Sequence, residues 1–149
     1  MKSLFHAADC ESLRKRFSEL QPDSPRHWGR MDPAQMLGHC AEALEGVLEA
    51  RRVRRPFLWR LVGPLLKPAA LGPRPFLRNL RAPRGLAVAD RRVFDTELRR
   101  LAHLLDHFVQ RGPATAGRAA HPFFGPLSGE EWGRLMYKHL DHHLRQFGM

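Results

Sequence analysis

Cysteine is scarce in this 149-residue chain, with only Cys10 and Cys40 present. Neither belongs to a CxxC pair, which speaks against a disulfide framework and makes the cytoplasm the expected compartment. Long apolar runs are missing as well. The most apolar stretch, Phe57 to Leu66, is broken by Arg60, Gly63 and Pro64 and falls far short of the ~20 residues that cross a bilayer, so no membrane span is expected. Met1 to Cys10 lacks the apolar centre of a secretory leader. Strand signals are nearly absent, and no internal repeat or low-complexity tract interrupts the chain. What is present is ordinary for a folded protein, 43% hydrophobic and 27% charged, and the length suits one domain spanning residues 1–149 with a real core.

Acidic residues are the minority, leaving a formal net charge of +10. That charge is regional. Residues 51–100 carry 13 arginines and one lysine against Asp90, Asp95 and Glu97, a net +11 that leaves the rest of the chain close to neutral. A basic strip can bind phosphates or an anionic surface. Its only aromatics are Phe57, Trp59, Phe76 and Phe94, without a base-stacking motif, and 21 of the 25 basic residues are Arg. The strip therefore reads as a solvated, arginine-biased face, and nucleic acid is not the expected partner.

Four helices are predicted. The first runs from about Ala8 to Leu20, with Leu13, Phe17 and Leu20 on one face, and stops before Pro22. The second opens at Asp32-Pro33, an N-cap residue with proline at the first helical position, and runs to about Arg52. The third spans Asp90 to Arg111 and ends at Gly112-Pro113. The fourth opens at Ser128, with Glu131 completing a capping box, and runs to about Phe147. This pattern gives an all-α fold, a four-helix bundle. The link from Val53 to Ala89 is long and rich in Pro and Arg. It is expected to hold one short helix, Pro56 to Leu66, whose basic amphipathic look suits a lid, a dimer contact or a membrane surface, with packing across the bundle end the favoured role.

The fourth helix carries the most informative feature. At about 100° per residue, Trp132, Leu135, Met136, His139, Leu140, His143 and Phe147 share one side, while Arg134, Lys138, Asp141 and Arg145 share the other. Two histidines thus sit mid-stripe on a face meant for burial. Imidazole fills a core poorly because both ring nitrogens want partners, so this pair is either hydrogen-bonded or bound to a metal.

A metal site needs a third protein ligand. His103 and His107 form another i, i+4 pair, but they lie among Thr96, Arg99, Arg100 and Gln110 and read as surface. His39 borders the apolar stripe Met36, Cys40, Ala43, Leu44 and Val47. Depth tests it. His39 lies about 10 Å from the start of the second helix, and the midpoint of His139 and His143 about 9 Å from the end of the fourth. The two come level if these helices run antiparallel, which requires up-down-down-up order with a crossover between the second and third helices. The long Pro-rich link supplies that crossover.

The stretches PRHWGRM (25–31), PAQMLGHC (33–40), HPFFGPLS (121–128) and KHLDHHLRQFG (138–148) resemble the DinB/YfiT-like superfamily. The resemblance covers nearly the whole chain and is weakest from about Val53 to Ala89. It implies an up-down-down-up four-helix bundle, often a homodimer, with a three-histidine site for zinc, nickel or a similar divalent ion. The single helix-2 histidine of the superfamily falls on His39, and its HxxxH on His139 and His143. Members include thiol-dependent transferases and isomerases using mycothiol or bacillithiol, so a low-molecular-weight thiol is an implied substrate.

Around this site, His142 lies off-centre beside Gln146 and is either an outer-shell donor or, preferentially, solvated. Gln146 and Asp141 are candidates for orienting ligands, though Asp141 points away from His139. His121, Trp28 and Trp132 are candidates for the site mouth, although the turn chemistry of His-Pro and Gly-Pro explains that loop equally well. Cys40 falls mid-stripe and reads as a small core residue. The leading function is metal-dependent activation of a thiol or water on a small-molecule substrate. No Asp or Glu shares the buried faces as a general base, which favours the thiol over hydrolysis. The alternative is a non-catalytic binding module that meets an anionic partner through residues 51–100.

Overall fold

A computed structural model describes residues 1–50, 57–79 and 90–149, apart from the side chain of Trp59. The second helix stops at Leu48, short of the expected Arg52, with Glu49 as its C-cap and Ala50 at φ 47°; the start of the short helix at Pro56 and much of the expected crossover lie outside the described residues. The elements in chain order are α1 (Ala7–Glu19), α2 (Pro33–Leu48), α3 (Phe57–Leu71), α4 (Phe94–Ala116), β1 (Ala120–His121), β2 (Gly125–Pro126) and α5 (Gly129–Gln146). The described fold is all-α, with β1 and β2 forming only a small antiparallel hairpin in which Ala120 pairs Pro126 and His121 pairs Gly125.

Helix starts follow their capping chemistry. The Asp32 side chain accepts from the Gln35 N–H while the Gln35 side chain returns to the Asp32 N–H. Ser128 and Glu131 do the same for α5. Each box satisfies two of the N–H groups that a helix start leaves unpaired. The expected stop after Arg111 is a break rather than an end. Gly112 adopts φ 69° and ψ 179°, and one further turn, Pro113 to Ala116, continues past it.

The short helix needs correction. Where Leu66 was its expected end, α3 continues to Leu71 through Pro64 and Pro68. Each proline removes a backbone hydrogen bond, and a tertiary partner stabilises the far end instead. Lys138 on α5 donates from Nζ to the carbonyls of Ala70 (2.7 Å), Gly72 (3.0 Å) and Ala69 (3.5 Å), the orphan acceptors of a helix terminus. Lys67 Nζ pairs with Glu131 at 2.8 Å, and Gly63 lies against the Phe123 backbone with no room for a Cβ. The helix thus packs across α5 and the hairpin, while Phe57, Leu58, Leu61 and Leu65 remain exposed on its outer side.

The core draws on the remaining helices through Leu13 and Phe17 of α1, Met36, Leu37 and Leu44 of α2, Leu101, Leu105 and Phe108 of α4, and Leu135, Leu140 and Leu144 of α5, all buried. Polar contacts fix how these helices meet. The Leu4 N–H donates to the Gly133 carbonyl (3.1 Å), and Arg16 at the far end of α1 reaches Asp141 (2.7 Å) and the Met149 carbonyl (3.0 Å). The His27 N–H, ahead of α2, donates to the Gln146 carbonyl (2.7 Å) at the end of α5. Between α2 and α4, buried Glu97 accepts from Arg92 (3.1 Å) and Arg100 (3.2 Å), which also reach Glu42 (2.9 Å) and Glu45 (3.0 Å). Two arginines of the basic strip are thereby committed inside the fold.

Candidate metal centre

Helix α2 presents His39 and α5 presents His139 and His143, three residues whose coordinating nitrogens all lie within 4.8 Å of one another. His39 Nε2 and His139 Nε2 are 3.0 Å apart. The ring centroids are separated by 5.0 Å (His39–His139), 4.8 Å (His39–His143) and 4.7 Å (His139–His143). The level match expected from helix depth is therefore realised. The bond from the His27 N–H to the Gln146 carbonyl ties the approach to α2 against the end of α5.

The electrostatics favour neutral rings. Burial, together with neighbouring His143, His39, His142 and His121, holds His139 well below the ordinary imidazole range. Burial, reinforced by His39 and only partly opposed by the Gln146 hydrogen bond, pushes His143 down to about 3. A metal ligand must offer an unprotonated nitrogen, so rings that shed protons this readily compete little with an ion.

Gln146 sets one tautomer. Its Nε2 donates to the Trp28 carbonyl (2.8 Å), which leaves Oε1 to accept from His143 Nδ1 (3.2 Å). His143 Nε2 then carries the lone pair, in the arrangement by which an outer residue orients a metal-binding histidine. Gly29 makes this possible. It adopts φ +81°, and a Cβ there would overlap the Gln146 amide. His139 is placed less completely: its Nε2 lies within hydrogen-bond distance of His39 Nε2, while its Nδ1 is shut off from solvent with no hydrogen-bond partner. Such a site is costly as plain core. Three imidazoles suit zinc, nickel, copper or iron, and ligand atoms on a tetrahedral ion stand about 3.3 Å apart, a spacing that the closest pair nearly meets and the widest reaches by a modest side-chain shift.

The other sequence candidates divide. His142 is not solvated but half-buried, its ring 6.0 Å from Trp28, 5.8 Å from Phe76 and 5.3 Å from His143. Trp28 is half-buried beside it and carries the guanidinium of Arg78 over its ring, 4.3 Å from the centroid. His121 serves the hairpin turn, with Nδ1 accepting from the N–H groups of Phe123 (3.1 Å) and Phe124 (3.2 Å) and its ring stacked on Phe124 at 4.4 Å. Trp132 is buried and donates to the Ala119 carbonyl (3.0 Å), 5.5 Å from the His121 ring. Asp141 is engaged by Arg16 and Arg145, each at 2.7 Å. Cys40 is fully buried with its Sγ 3.7 Å from Met36 Sδ, and burial pushes its thiol well up, so it is core rather than ligand. His103 is exposed and His107 accepts from Arg111 (2.9 Å), both apart from the centre.

The segment 72–79, which follows α3, escaped sequence reasoning. Phe76 faces His142, Arg78 covers Trp28, and the Asn79 side chain accepts from the Gly29 N–H at 3.1 Å. Lys138, besides holding the Gly72 carbonyl, stands 4.6 Å over the Phe76 ring. The segment has no periodicity, and only tertiary contacts bring it here.

Among known families, the one described as "Protein of unknown function (DUF1569)" matches residues 2–148. No curated protein and no solved structure matches the chain.

Proposed function

The chain belongs to the DUF1569 family, and on that premise we propose that it binds one divalent transition ion, zinc or nickel, through His39, His139 and His143 and uses it to activate a thiol or water of a small-molecule substrate. The observation that carries this reading is the convergence of three imidazoles within 4.8 Å, two of them pushed toward the neutral form by burial and one oriented by Gln146. Helix order agrees with it. Leu4 meets Gly133 and Arg16 meets Asp141, so α1 runs with α5; His27 meets Gln146, so α2 opposes α5; Arg92 meets Glu42 and Arg100 meets Glu45, so α4 runs with α2. We read this as up-down-down-up, the order of the DinB/YfiT-like bundles that the sequence resembles.

A bound ion would supply a Lewis acid that lowers the pKa of a thiol or water. The protein's own part is to hold His139 and His143 neutral and to fix the His143 tautomer. The carboxylates nearest the centre along α5 are already engaged, Glu131 by Lys67 and Ser128 and Asp141 by two arginines. A thiol needs no separate general base, so thiol transfer is favoured over hydrolysis. The binding-module alternative loses ground because Arg92 and Arg100 of the basic strip serve Glu97, Glu42 and Glu45.

The test is elemental analysis after chelator-free purification. Wild type is expected to carry about one ion per chain and His143→Ala far less, while His103→Ala and His107→Ala keep both the ion and the melting temperature. Equal metal content in wild type and His143→Ala would overturn the assignment.

A further inference from the structure

The two flanks of the histidine cluster differ in kind. Toward the hairpin, Trp132 is buried and His121 is taken up by the turn. Toward the end of α5, the flank is half-open and lined by Trp28, His142 and Phe76, with Arg78 at its outer edge. The contacts form a relay from ligand to cation: His143 to His142 at 5.3 Å, His142 to Trp28 at 6.0 Å, and Trp28 to the Arg78 guanidinium at 4.3 Å.

Arg78 differs from the other arginines near the core. Arg14, Arg16, Arg92 and Arg100 each meet a carboxylate, whereas Arg78 meets the face of an indole and has no carboxylate partner among the described residues. Stacking holds the planar group in place while leaving its N–H edge available, and that edge matches a carboxylate or phosphate. The fold supports this placement at several points. Asn79 accepts from Gly29, Phe76 packs on His142, and Lys138 grips Gly72. Segment 72–79 is thus fastened at both ends against the open flank.

We propose that Arg78 is the specificity-determining residue of the metal centre, and that the substrate carries an anionic group, carboxylate or phosphate, separated from its metal-binding head by a short apolar or planar spacer lying along Trp28, His142 and Phe76. This inference rests on the metal-centre reading above. The aromatic faces between centre and guanidinium offer no charged group to a polar spacer, and the guanidinium rewards an anion at the far end. A neutral or cationic tail of equal length gains nothing there.

The probe is the cobalt(II)-loaded protein, read by the change in its visible absorption. The ligands share a thiol head and differ only in the tail: 3-mercaptopropionate, 2-mercaptoethylphosphonate and 3-mercapto-1-propanol, with a parallel hydroxamate series carrying carboxylate, phosphonate and hydroxyl tails. Wild type is expected to bind the anionic tails at least about tenfold more tightly than the hydroxyl tail, the scale of one charge-assisted hydrogen bond. In Arg78→Gln that ratio should collapse to about twofold or less with hydroxyl-tailed affinity unchanged, and Arg78→Lys should restore part of it. The tighter of the two anionic tails identifies the source of the charge. A wild-type response without tail preference, or a preference that survives in Arg78→Gln, overturns the role of Arg78 alone. Failure to take up cobalt, or cobalt uptake with no response to either head, overturns the metal-activation reading and this inference with it.

Discussion

Replacing Gly29 by alanine tests how the His143 ring is held, although Gly29 contacts none of the three histidines. Two penalties combine. Its φ of +81° lies in the left-handed region, where an L side chain costs about 1–2 kcal/mol. The added Cβ also overlaps the Gln146 amide, which bonds to the Trp28 carbonyl at 2.8 Å and to His143 Nδ1 at 3.2 Å. Displacing the amide forfeits these two bonds, each worth about 1 kcal/mol net. The sum, about 3–4 kcal/mol, corresponds in a chain of this size to a fall of roughly 6–16 °C in melting temperature. Loss of the orienting amide should weaken zinc binding by about 10–100-fold. Gln146→Ala separates the two effects, because it removes the amide without backbone strain. It should lose the same metal affinity with a smaller thermal penalty. Competition titration with a chromogenic zinc chelator measures the first quantity and scanning calorimetry of the metal-free proteins the second. If Gly29→Ala and Gln146→Ala both bind zinc as wild type does, Gln146 does not orient His143 and the argument is refuted.

Two further outcomes are expected. Because His139 and His143 are held below the ordinary value of 6.5, His143 at about 3, the unfolded chain binds more protons than the folded one between those values. The metal-free protein should therefore lose stability as pH falls from about 6.5 toward 3, by up to about 1.4 kcal/mol per pH unit for each histidine; urea midpoints at pH 7.5, 5.5 and 4.5 should show a shallower slope in His143→Gln, and a wild-type slope of zero would contradict the burial of these rings. Glu97→Gln should cost about 1–3 kcal/mol, since the buried carboxylate serves both Arg92 and Arg100 and the amide replaces a charged acceptor by a neutral one. Calorimetry reads that loss directly, and an unchanged melting temperature would mean that the network is dispensable.

Legibility in the sequence followed the range of the physics involved. The N-cap at Asp32 and the capping box at Ser128 are local signals that the structure repeats, and Gly112 interrupts its helix where the sequence places a stop, though one more turn follows. The inward phase of His139 and His143 needs only the helical period, and the reach of His39 needs only rise per residue. The end of α3 is not legible locally because its carbonyls are satisfied by Lys138, 66 to 69 residues away, on a side chain that its own helix places with the polar residues. His142 reads as solvated from its own helix because nothing there shows Phe76 and Trp28 approaching. Gly29 gave no sign of its conformation, and segment 72–79 has no pattern to read. Such features exist only after distant parts of the chain meet.

The separation of His39 from His139, 100 residues apart along the chain, has a consequence for persistence. An ion tying them together would act as a reversible staple across a very large loop. Permanent cross-links of that span restrict the denatured chain by about 4.7 kcal/mol in the chain-entropy description, and a ligand that prefers the folded form adds its own mass-action term. The staple joins α2 to α5, so any excursion that separates these helices must first break a coordination bond. Proteases that cut only transiently opened chains would then digest the loaded form slowly and the empty form fast, so that metal supply would govern how long each copy of the protein survives.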